Sequence, residues 1–137
     1  MFERILVATD ASEPSTRAVE FAAGLAKDHA SAVIVLHAVP RVVSRFGTSD
    51  LEEPEAARDL VDRTVRDLKD RGLSARGEVV RVLEGHMARG IVESAASSDA
   101  DVIVMGTRGR SDFGGLFLGS VTHRVLHLSE KPVIVVP

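Results

Sequence analysis

The chain is 137 residues long, 45% hydrophobic and 27% charged, with a formal net charge of −3 and no cysteine, tryptophan or tyrosine. That length suits one domain of ordinary size, so residues 1–137 are expected to form a single unit. The composition argues against generic nucleic-acid binding, which wants a basic surface or aromatic stacking platforms; it excludes disulfides and thiolate chemistry, and no apolar run approaches the ~18 residues of a membrane-spanning helix.

The N-terminal stretch MFERILVATD enters a strand pattern at once and carries no signal peptide, which leads us to expect a cytoplasmic protein. Ile5 to Ala8 is a short apolar run without alternation, as in a strand buried on both faces. Thr9 and Asp10 end it, Ser12 is placed to cap a helix, and Pro14 is tolerated in the first turn. Ala18, Ala22, Leu25, Ala26 and His29 then recur at helical spacing. A second apolar strand runs from Ala32 to Val39. Pro40 is expected to stop it and to open a long loop to Leu51, a length usually functional or mobile.

A helix is predicted from about Glu53 to Arg71, with Ala57, Leu60, Val61, Thr64, Val65 and Leu68 on its apolar side and Gly72 just past its end. The third strand, Ala75 to Val82, is interrupted by Arg76, Glu78 and Arg81, as edge strands are. Ala88, Ile91, Val92 and Ala95 give a third helical face, and Val102 to Met105 a fourth, fully apolar strand. After a glycine-rich stretch, a helix is predicted from about Ser120 to Ser129, and Val133 to Val136 form the last strand. This βαβαβαβαβ order demands an open five-stranded parallel sheet with right-handed crossovers and helices on both faces. If strands one and four are central, the switch point lies between them. Thr9, Asp10 and Gly106 then meet at the crevice where such sheets bind ligands.

The segment after strand four reads G-x2-G-x9-G-S: Gly106, Gly109, Gly119 and Ser120. It lacks the Gly-Lys-Ser/Thr of a P-loop, and it is no G-x-G-x-x-G turn. Gly106 and Gly109 admit close backbone approach to a phosphate. Ser120 and Val121 begin a helix whose N–H groups suit an anion, and Thr107, Arg108 and Arg110 add donors and charge. Asp10 is read both as a helix cap and as an acceptor for ribose hydroxyls or a base edge, and the two arginines both as phosphate ligands and as solvated charges. His123 and His127 share a helix face, but no third ligand is evident and no metal site is expected.

This spacing, with VIVMG before it and SVTHRVL after it, resembles the universal stress protein family. So do the opening ILVATD, the LHAV closing strand two and the terminal KPVIVVP, so the resemblance covers the whole chain. It implies an adenine-nucleotide α-hydrolase-like fold with strand order 3-2-1-4-5, ATP as ligand, and usually a homodimer. It also implies that Gly106, Gly109, Gly119 and Ser120 hold phosphates and ribose, that Asp10 contacts the nucleoside, and that Ala38, Val39 and Met105 lie by adenine and ribose. Magnesium is expected to accompany a triphosphate, although no carboxylate pair is dedicated to it. Val133–Val136, if an edge strand, would be covered by a second copy. The expected function is a dimeric stress-response regulator that signals to a protein partner by nucleotide occupancy. No residue is placed as a base, so hydrolysis is expected to be slow at most. The alternatives are a slow nucleotide hydrolase and an interaction module whose glycines serve only the fold.

Overall fold

The computed structural model describes residues 2–50, 52–108 and 118–137. The elements run β1 (Arg4–Ala8), α1 (Glu13–His29), β2 (Ala32–Ser44), β3 (Gly47–Asp50), α2 (Pro54–Asp70), β4 (Ser74–Leu83), α3 (Met87–Ser97), β5 (Val102–Gly106), α4 (Ser120–Leu128) and β6 (Val133–Val136). Five of these strands form a parallel sheet in the order β4-β2-β1-β5-β6, which is the 3-2-1-4-5 order expected of a five-strand chain. The sixth, β3, pairs antiparallel with the far end of β2.

The stretches Ile5–Ala8, Ala32–Leu36 and Val102–Met105 of the central strands are apolar at every position because both faces are covered. Ile5, Val7, Val33, Val35, Val102 and Val104 face α1 and α2, where Ala18, Ala22, Val61 and Leu68 receive them. Leu6, Ile34, Leu36, Ile103 and Met105 face α3 and α4, against Ala88, Ile91, Ala95 and Val125. The small residues of α1 (Ala18, Ala22 and Ala26, all at most 1% exposed) allow its backbone close to the sheet.

The segment from Pro40 to Asp50 departs from its expectation as a loop. β2 continues through Pro40 to Ser44 and turns into β3, with Val42 opposite Ser49 and Ser44 opposite Gly47. Backbone direction explains why the proline does not end the strand. Thr9 N–H donates to Leu36 C=O at 2.9 Å, so even-numbered residues of β2 aim their backbone groups toward β1. Glu84 N–H donates to Arg41 C=O at 2.9 Å, so odd-numbered residues aim toward β4. Pairing with β1 stops at Leu36, and pairing with β3 starts at Arg41 on that same side. The missing N–H of Pro40 therefore falls in the gap between β1 and β3, where no ladder needs it. An ion triad pins the hairpin to β4: Asp50 lies 3.0 Å from Arg41 Nε and 3.3 Å from Arg81 Nε. The Arg41 contact is one of charges without hydrogen-bond alignment.

The remaining elements match their expected places. Ser12 caps α1 by accepting from Ser15 N–H at 3.3 Å, and Gly72 follows α2 at φ +86°. β4 pairs only with β2 and β6 only with β5 among the described residues, so both are edges. No described helix is long and apolar enough to cross a membrane.

Candidate functional site

The sheet reverses its winding between β1 and β5, and a cavity of about 110 Å³ opens at their C-terminal ends. Ala8, Thr9 and Asp10 of the β1 end form one wall, Met105, Gly106 and Arg108 of the β5 end another. Ala38 comes from β2, Met87 and Ile91 from α3, and Val121 and Thr122 from α4, while Ser15 and His37 close the floor beside Thr9. Met87 and Ile91 make the α3 side apolar, while Thr9, Asp10 and Arg108 put polar groups on the β1–β5 rim.

Local sequence sets each wall. Asp10 Oδ1 accepts from Ser12 N–H at 3.0 Å, and Ser15 Oγ, fixed by donating to Ser12 C=O at 3.0 Å, accepts from Asp10 N–H at 3.2 Å. Ala11 sits at φ +68°, a left-handed conformation that costs a non-glycine residue about 1 kcal/mol. On the opposite wall, Thr122 Oγ1 donates to Gly106 C=O at 2.9 Å and Gly119 N–H donates to Thr107 C=O at 2.6 Å. These bonds bring the start of α4 against the end of β5. Gly119 is the N-cap of α4 and has no side chain to offer the first-turn N–H groups.

Seven of the expected site residues line the cavity: Thr9, Asp10, Ala38, Met105, Gly106, Arg108 and Val121. Gly119 and Ser120 stand just before Val121 at the head of α4. Val39 is 1% exposed and not part of the wall. Gly109 and Arg110 lie outside the described residues. The structure gives Gly106 a packing reason, since a Cβ there would meet Pro14 carbonyl carbon at 2.6 Å. Its lack of a side chain lets the first turn of α1 reach the rim.

Ala8, Ser15, His37, Met87, Ile91 and Thr122 also line the cavity, and the sequence reading does not single them out for it. Met87 and Ile91 carry the usable signal, a four-residue spacing on the helix entering after the edge strand. His37 is contiguous with Ala38 in the LHAV stretch. Ser15 and Thr122 read from sequence only as helix-start hydroxyls. Among the described residues no group of three or more His or acidic side chains is arranged to hold a metal ion, and His123 and His127 meet only ring to ring, with centroids 4.6 Å apart.

A doubly wound parallel sheet with a crevice at its switch point defines an open α/β architecture of the kind that binds ligands there. The family model described as "Universal stress protein family" matches residues 1–137. A Thermus aquaticus universal stress protein is 34% identical over 139 residues, covering 99% of each chain. The solved structure of protein MJ0577 from Methanocaldococcus jannaschii superposes with a TM-score of 0.81 at 26% identity, covering 99% of this chain and 96% of that one. A universal stress protein solved in complex with cAMP gives a TM-score of 0.68 at 26% identity, covering 98% and 96%. The chain belongs to the universal stress protein family.

Proposed function

We propose that this protein is a cytoplasmic, homodimeric stress-response regulator that binds ATP in the β1–β5 crevice and uses nucleotide occupancy as its signal. The observation that carries the reading is the convergence of Asp10, Ala38, Met105, Arg108 and Val121 on one cavity at the switch point. The cAMP complex of a relative supports an adenine nucleotide as the ligand class.

In this reading the base and ribose enter between Ala38, Met87, Ile91 and Met105, with Asp10 as acceptor. β2 presents backbone groups of Ala38 toward the cavity in the gap between β1 and β3, which gives an adenine edge a donor and an acceptor. The cavity of about 110 Å³ falls short of the ~300 Å³ usual for a whole small-molecule site, so it takes part of the ligand. The phosphates go to the head of α4, where the helix dipole and the N–H groups of Ser120 and Val121 favour an anion, with Arg108, Gly109 and Arg110 completing the cradle. Magnesium would be held mainly by phosphate oxygens and water, in keeping with how that ion binds triphosphates.

Dimerisation is assigned to β6. Val133 to Val136 are each only half-buried, and the strand pairs with β5 alone among the described residues. A second copy would cover that edge. Native mass spectrometry of the purified protein tests both parts. A dimer carrying adenine nucleotide is expected; a monomer that retains none, even after incubation with ATP and Mg²⁺, would overturn the reading.

A further inference from the structure

His37 lies at the floor of the crevice, 1% exposed, and both its ring nitrogens are engaged. Nδ1 is 2.7 Å from the Thr9 carbonyl oxygen. A carbonyl only accepts, so Nδ1 carries a hydrogen. Nε2 is 2.7 Å from Glu52 Oε2. A bare imidazole nitrogen and a carboxylate oxygen at that distance would set lone pair against lone pair, so one further proton lies in this contact. The result is a chain from Glu52 through the ring of His37 to the Thr9 carbonyl.

That carbonyl belongs to the Thr9–Asp10 peptide. The N–H of the same peptide donates to Ser15 Oγ at 3.2 Å, and Ser15 Oγ is also 3.2 Å from the Thr9 hydroxyl. His37 and Ser15 therefore grip one peptide plane from opposite edges, just where the β1 ladder has ended at Ala8. The grip matters because the next residue, Ala11, is held at φ +68°. A rotation of the Thr9–Asp10 peptide would change φ of Asp10, swing it away from the cavity it lines and misdirect the chain into that turn.

We propose that His37 is a positioning residue of the ligand site. It fixes the Thr9–Asp10 peptide and with it the direction of Asp10, while Glu52 orients the ring. Glu52 follows β3 by two residues, so the β2–β3 hairpin is tied through His37 to the residue that meets the ligand. This rests on the nucleotide reading above and adds to it: the hairpin and the crevice become one coupled unit, and whatever moves one changes the other.

The test measures ATP affinity by calorimetry for wild type, His37→Gln, Asp10→Ala and the double variant, with ring ¹⁵N spectra of wild type and Glu52→Gln. In the wild-type background His37→Gln is expected to weaken ATP about tenfold, as loss of a supporting contact does. In the Asp10→Ala background it is expected to weaken ATP by less than about twofold, because His37 acts through Asp10. The His37 Nδ1 is expected to carry a hydrogen in both wild type and Glu52→Gln, as the Thr9 carbonyl requires. Equal losses in the two backgrounds, or a wild-type ring with bare Nδ1, would overturn the proposal. Should His37→Gln fail to fold, Glu52→Ala keeps the ring and its Thr9 bond. It is expected to weaken ATP about threefold through loss of the orienting contact, and unchanged affinity there overturns the proposal. The two levels fail differently: absence of wild-type ATP binding defeats the nucleotide reading, whereas wild-type binding that His37→Gln leaves intact defeats only the positioning role.

Discussion

Gly106 and Pro14 are packed so closely that the Cβ of any other residue at 106 would stand 2.6 Å from the Pro14 carbonyl carbon and 2.9 Å from its oxygen. Both are backbone atoms at the start of α1, so they cannot swing aside as a side chain would. Gly106→Ala must therefore push α1 outward at its N-terminus, where Ser12 and Ser15 support Asp10. We expect a loss of about 1–3 kcal/mol in stability, the usual cost of overpacking, measured by urea unfolding. ATP binding should weaken as well, because the rim moves.

Thr122→Val keeps the shape of the side chain but removes the hydroxyl that donates to Gly106 C=O. Thr122 is 3% exposed, so the carbonyl loses a buried donor. The expected cost is about 1–3 kcal/mol, read from the same unfolding curves. A change under about 0.5 kcal/mol would mean that this bond does not hold α4 to β5.

Gly119 tests the phosphate cradle. It is buried at the head of α4, but its φ of −63° and ψ of 155° are open to any residue, so Gly119→Val adds bulk there without backbone strain. The variant is expected to lose ATP binding while retaining the wild-type fold; unfolding would show that Gly119 serves packing. Retained affinity would show that the phosphates lie elsewhere.

Much of the fold was legible because the central strands are apolar on both faces and helices alternate with them. Ile5–Ala8 and Val102–Met105 could be placed in the middle of the sheet on composition alone. The β2–β3 hairpin was not legible. Its signal, Pro40 within an apolar run, reads as a stop, and only the direction of each backbone group shows that the missing N–H faces a gap. The crevice walls were legible where spacing marks Gly106 and where a strand ends, at Thr9 and Asp10; Gly119 and Ser120 stand beside the cavity at the head of α4. His37 and Ser15 escaped because their roles depend on a peptide plane fixed by contacts 28 and 5 residues apart in sequence. A histidine at a strand end carries no pattern that announces such a bond.

Ala30 offers a prediction remote from the crevice. It closes α1 in the left-handed region, at φ 53° and ψ 41°. Ala30→Gly should stabilise the protein by about 0.5–1 kcal/mol, since glycine adopts this conformation without a Cβ clash. Denaturant midpoints compared at equal slope would check it.

Acid should weaken two surface ties. Asp101 is held below the usual carboxylate range by the backbone N–H groups of Arg4 and then Glu3, and Glu20 by its hydrogen bond to Arg71. Because folding lowers both, their contribution is full above the unfolded carboxylate range and is lost as pH falls through the lower folded values. Glu20 is exposed and Asp101 half-buried at the surface, so solvent screening keeps the effect small. Melting temperature should decline below about pH 4, and less steeply in Asp101→Asn. Identical slopes in the two proteins would remove Asp101 from the account.

Titration calorimetry of the wild-type protein with ATP and Mg²⁺ decides whether the β1–β5 crevice binds ATP. Saturable heat at about one nucleotide per chain is expected, abolished by Gly119→Val. No heat and no thermal shift at millimolar ATP would mean that the crevice is not an ATP site.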